Sequence, residues 1–149
     1  DLYNYNCKNI KIFNFALSNK VKIQNLIIPY FKYFELDGFA TLEKKIFLNN
    51  KFNKFKKIFI KTKKLDNFNF KNISFIKIDV EGHEANLLNG AKKTFKSNKP
   101  NCLIEIKKGN LTKVKKFFEN IDINYKCVPK KSFSFKFAKE NYLFSINCK

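Results

Sequence analysis

The stretch from Ile73 to Ala91, ISFIKIDVEGHEANLLNGA, restricts the fold more than any other part of the chain. Ile73, Phe75, Ile76, Ile78 and Val80 make a short, nearly continuous apolar run, the pattern of a strand covered on both faces. Asp79, Glu81, His83 and Glu84 then crowd around Gly82. Beyond the glycine, Leu87, Leu88, Ala91 and Phe95 recur at helical spacing, which predicts one helix with Gly90 in its middle. A buried strand thus ends in acids, turns and feeds a helix. Ligands of open α/β sheets bind beyond such strand ends, so this junction is the candidate site.

The remaining elements follow from pattern. Asn9–Leu17 and Val21–Tyr30 read as strands that form an antiparallel hairpin, and Phe55–Lys63 as a half-buried strand. Phe31–Asn53 reads either as a lid beside the cleft or as a packed surface loop with a short helix around Leu42–Leu48. Asn101–Ile106 is a further buried strand holding Glu105, and Leu111, Val114, Phe117, Phe118 and Ile121 define an amphipathic helix that Asn110 would cap. The tail alternates over Ile123–Val128, Ser132–Phe137 and Tyr142–Cys148, which fits antiparallel strands at a sheet edge.

Charge and cysteines narrow the function classes. The 149 residues carry a net charge of +19, which raises the possibility of a nucleic-acid partner. All 31 cations are lysine, however, so the bidentate fork that reads phosphate and guanine is absent, and the lysines are spread rather than clustered. Nucleic acid is therefore not the expected partner. Cys7, Cys102, Cys127 and Cys148 form no CxxC pair, and neither a zinc site nor a thioredoxin-like site is supported. The apolar runs are too short to span a bilayer, and reduced thiols with no signal peptide would indicate the cytoplasm.

IKIDVEGHE, the Leu87-Leu88 pair, NGA at Asn89–Ala91 and KPNCLIEI at Lys99–Ile106 closely resemble the FkbM family of S-adenosylmethionine-dependent methyltransferases. ALSN at Ala16–Asn19, GFATL at Gly38–Leu42, KLDNF at Lys64–Phe68 and NYLFSI at Asn141–Ile146 follow in the family's order. The resemblance implies an α/β chain with a Rossmann-like class I methyltransferase sheet, ordered 3-2-1-4-5-7-6 and edged by antiparallel strands. It implies S-adenosylmethionine as cofactor and an O-methyltransferase acting on a hydroxyl of a sugar, glycan or related small molecule. No glycine-rich cofactor loop occurs among the scattered Gly38, Gly82, Gly90 and Gly109. The chain is accordingly expected to be a single partial domain without the first two strands. Residues 1–30 would form the third strand and its hairpin, 31–63 the insertion or lid, and 64–149 the central strand–helix units and terminal strands. Asn9–Leu17 would then stand apart with its hairpin partner, or pair with the bared edge of Ser74–Val80.

By resemblance, Ala16, Leu17 and Ser18 line the adenine pocket, although an ordinary Ser-Asn turn fits the pattern equally. Asp79 would position cofactor and acceptor, and Glu81 and His83 are both candidates for the general base. Glu84, Glu105, Gly38 and Phe39 are the candidate substrate contacts, with dipole complementation open for Glu84 and backbone capping open for Glu105. Asp79, Glu81 and His83 would also suit a divalent metal, a rival reading that the resemblance does not favour. A lysine-rich nucleic-acid module and a non-catalytic remnant remain the alternatives.

Overall fold

The computed structural model describes residues 9–45, 52, 54–107, 109–121, 123–130 and 139–146. Cys7, Cys148 and the strand expected over Ser132–Phe137 lie outside them, as do residues 46–48 of the expected Leu42–Leu48 helix. Strands β1 (Ala16–Leu17), β2 (Lys22–Phe31), β3 (Phe34–Glu35) and β4 (Lys54–Lys63) form one sheet in the order β1-β4-β2-β3. Strands β5 (Phe75–Ile78), β6 (Asn101–Lys107), β7 (Lys126–Lys130) and β8 (Lys139–Ser145) form a second, in the order β5-β6-β8-β7. Helices α1 (Glu84–Asn89), α2 (Lys92–Asn98) and α3 (Leu111–Asn120) belong with the second sheet.

The second sheet holds the core. β5 and β6 run parallel, joined by α1 and α2, while β8 returns antiparallel to β6 and β7 antiparallel to β8. Alternate residues Cys102, Ile104 and Ile106 of β6 meet Leu87, Leu88, Phe95, Val114, Phe117 and Phe118 from the helices. Phe95 packs edge-on to Phe117 and Phe118 at 5.5 and 5.6 Å, and Phe118 stacks on Phe144 at 4.1 Å. The helices cover one face only. Ile76 and Ile78 point into the core, while Phe75 is 52% exposed and Lys77 is exposed too. The expectation of a strand covered on both faces is corrected: Lys77 already breaks the apolar run on the outer side. Among the described residues, β5 pairs with β6 alone and its other edge is open.

The first sheet corrects the hairpin expectation. β1 pairs in parallel with the end of β4, and β2 pairs antiparallel with β4 over Lys22↔Thr62 to Tyr30↔Lys54, so β4 separates the two strands expected to be partners. Buried Thr62 fixes the crossing: its Oγ1 lies 2.8 Å from the Lys20 carbonyl and accepts the Lys22 N–H at 3.2 Å. Asn9–Leu17 therefore neither stands apart nor joins β5. Its aromatic residues pack on Phe68 instead, Phe13 tilted against the ring at 5.6 Å and Phe15 stacked on it at 5.2 Å. β4 is more exposed than its alternation suggests, with Phe59 at 79%.

The expected central helix is two helices. Gly90 ends α1, and a Cβ there would lie 2.1 Å from the Ser18 carbonyl oxygen, so the close approach is to the turn after β1. Asp66 caps α2 from a distance, accepting the Thr94 N–H at 2.9 Å and the Lys93 N–H at 3.2 Å. Asn110 stands at the start of α3 but makes no side-chain cap; its amide is used elsewhere.

Candidate active site

Beyond Ile78 the chain reverses within four residues. The His83 N–H closes the turn on the Val80 carbonyl at 3.1 Å. Glu81 at φ 47° and Gly82 at φ 99° are both left-handed, a conformation cheap for glycine and costly for glutamate. Neighbouring groups compensate that cost. Thr41 Oγ1 donates to the Glu81 carbonyl at 2.8 Å. The Glu84 carboxylate, 1% exposed, accepts the Gly82 N–H at 2.8 Å and the Asn110 amide at 2.7 Å, and that amide also donates to the Gly82 carbonyl at 2.8 Å. A buried carboxylate costs several kcal/mol unless its oxygens are satisfied, and here each has a donor. Glu84 therefore locks the turn to α3, and Asn110 serves the lock instead of capping α3.

The locked turn delivers His83 to the start of α1, at 6% exposure. Its Nδ1 lies 2.6 Å from Glu43 Oε1 and its Nε2 2.9 Å from Ser18 Oγ. Asn86, one helical turn on, donates to the same Glu43 oxygen at 3.2 Å and accepts from the Asn19 amide at 3.3 Å. Thr41 Oγ1 accepts the Glu43 N–H at 3.1 Å, so one hydroxyl ties the Glu43 segment to the Glu81 turn. His83 thus comes from the second sheet's side, while Ser18 directly follows β1 and Glu43 lies between β3 and β4 of the first sheet.

In front of this network lies a cleft of about 360 Å³, lined by Ala16, Leu17, Thr41, Asp79, Val80 and His83 among others. Its volume falls within the usual range for small-molecule sites. The Asp79 side chain is 40% exposed and pairs weakly with Lys77 at 3.6 Å.

The structure brings Ala16, Leu17, Asp79 and His83 to one cleft, with Ser18 bound to the imidazole behind it. It does not bring the others. Glu81 is buried and stands outside the lining residues, Glu84 is used up in the turn, and Glu105 sits half-buried on the sheet face away from Ile104 and Ile106. Gly38 is exposed, and it is Ala40, Thr41 and Leu42 of the GFATL word that line the cleft, not Gly38 or Phe39. Among the described residues, no three His, Cys, Asp or Glu side chains converge as metal ligands. Sequence reading missed Glu43 and Asn86. Asn86 had a signal, lying three residues after His83 on the same helical face; Glu43 had only its place directly after GFATL.

The family comparison supplies the frame for this geometry. The model of the methyltransferase FkbM domain matches residues 2–130. The chain belongs to the FkbM methyltransferase family. A solved structure it resembles is the methyltransferase FkbM from Methylobacillus flagellatus KT, at 22% identity and a TM-score of 0.50. The match covers 57% of this chain and 23% of that one, so it speaks for a shared α/β fold over part of each. No curated protein matches the chain.

Proposed function

We propose that this chain forms the adenosine and acceptor side of an S-adenosylmethionine-dependent O-methyltransferase, acting on a hydroxyl of a sugar, glycan or related small molecule. Family membership supports methyl transfer at the coarse level. One observation carries the finer reading: a single cleft gathers Ala16 and Leu17, Asp79, and an imidazole backed by a carboxylate. The strand order β5-β6-β8-β7 supports assigning the second sheet to the 4-5-7-6 half of the methyltransferase sheet.

The lining suits part of the cofactor. Ala16, Leu17, Leu26, Ile78, Val80 and Leu87 offer apolar walls to a flat nucleoside, and Asp79 offers acceptor oxygens at the rim. When bound, the cofactor supplies a methyl group on a sulfonium, open to in-line attack by an oxygen. The chain's own residues then have two tasks. Asp79 orients, by accepting hydrogen bonds at the mouth of the cleft. His83 takes the acceptor's hydroxyl proton, because this residue lines the cleft and Glu81 does not. The test belongs to the protein as it occurs in its cell. There, Ala16→Trp, which fills the cleft, should abolish S-adenosylmethionine binding in calorimetry while thermal stability is retained. Undiminished affinity in that variant would remove the cleft from the cofactor site.

A further inference from the structure

The Ser18–His83–Glu43 chain of hydrogen bonds has two possible uses. In hydrolases the same order of groups activates the serine. Here the serine is a poor nucleophile: Ser18 is 2% exposed, its carbonyl is pressed against Gly90, and its N–H is spent on the Lys63 carbonyl at 2.8 Å. An N–H beside the nucleophile is the donor an acyl-transfer site would need for its oxyanion. The polarity of the chain, rather than its serine, is what it can contribute.

The geometry points to Glu43 as the positioning residue for His83, fixing the imidazole in its Nδ1–H tautomer so that the lone pair of Nε2 is presented to the Ser18 hydroxyl. A carboxylate only accepts, so a 2.6 Å contact requires the proton on Nδ1. In the neutral ring Nε2 is then an acceptor, and the Ser18 hydroxyl donates to it at 2.9 Å. The Asn86 amide also approaches Nδ1, at 3.3 Å, but its hydrogen is accommodated by the Glu43 oxygen at 3.2 Å, and the shorter Glu43 contact decides the ring's polarity. Thr41 holds Glu43 in place from the other side of the same turn. An imidazole left to itself favours the opposite tautomer, with Nε2 protonated and unable to take a proton. Glu43 thus does for His83 what the buried aspartate does in a Ser-His-Asp triad, with Ser18 filling the place of the acceptor hydroxyl until one arrives.

This inference deepens the methyltransferase reading and rests on it for its catalytic meaning, but its test does not need activity. His83 is the chain's single histidine. Long-range proton–nitrogen NMR correlations of the labelled protein near neutral pH therefore report its two ring nitrogens without ambiguity. The expected pattern is a protonated Nδ1 and a bare Nε2 in the native protein, kept in Ser18→Ala, and replaced in Glu43→Gln by the Nε2–H form as the majority species. A native spectrum with Nε2 protonated overturns the proposal, even if Glu43→Gln fails to fold. So does a Glu43→Gln spectrum identical to the native one, or a tautomer that changes in Ser18→Ala. Loss of the methyltransferase reading would leave the spectrum unchanged, so the two failures are distinguishable.

Discussion

The sheet β5-β6-β8-β7 carries helices α1–α3 on one face and hides Leu88, Phe95, Ile104 and Phe144 almost completely, whereas the sheet β1-β4-β2-β3 leaves Ile23, Tyr33, Phe34 and Phe59 between 71% and 93% exposed. The first of these regions has a core of its own, and the second contributes far less buried apolar surface. Yet the candidate site belongs to neither alone. The second sheet supplies the locked turn and His83, while Ser18, Thr41 and Glu43 reach it from the other side. Stability is thus concentrated in one region, and the chemistry sits at the seam.

Substitutions sharpen that contrast when ranked by expected effect. Phe95→Ala empties the centre of the aromatic cluster and should cost about 3–5 kcal/mol in denaturant unfolding, enough to threaten folding. Glu84→Ala strips partners from the Gly82 N–H and the Asn110 amide and should cost about 1–3 kcal/mol by the same measurement. Gly90→Ala forces a Cβ against the Ser18 backbone, with an overpacking cost of about 1–3 kcal/mol. It should also loosen the Ser18–His83 contact, seen as faster modification of the single histidine by diethylpyrocarbonate. Phe59→Ser in the exposed sheet should change stability by no more than about 0.5 kcal/mol. A Phe59→Ser loss as large as that of Phe95→Ala would erase the distinction between the sheets.

The core also leaves a pH signature. Burial pushes the Cys102 thiol well above its ordinary value of 9.0. A thiol held protonated in the fold but free to ionise when unfolded stabilises the protein fully below that value and loses the contribution as pH rises past it. Unfolding free energy should therefore fall with pH above about 9 more steeply in the native protein than in Cys102→Ala.

Much of the second sheet was legible because its signals are local. The apolar run into Asp79, the amphipathic spacing of Leu111–Ile121 and the β6 run over Asn101–Ile106 all state their own structure. What escaped is set by contacts distant in sequence. The break at Gly90 answers to the Ser18 backbone, the cap on α2 comes from Asp66, and Asn110 leaves its capping position to serve Glu84 and Gly82. Strand pairing failed for the same reason, since the alternation in Val21–Tyr30 cannot say that β4 lies between it and Ala16–Leu17. At the site, His83 could be read from DVEGHE, but the carboxylate behind it lies forty residues away in sequence and carries no periodic mark.

The central claim is that the imidazole at the end of β5 removes the proton from a hydroxyl acceptor. It is tested most directly by His83→Gln in the protein as it occurs in its cell, measuring transfer of labelled methyl from S-adenosylmethionine beside cofactor affinity. The account expects turnover to fall about a hundredfold or more, with affinity for the cofactor little changed. Turnover equal to that of the native protein would contradict it.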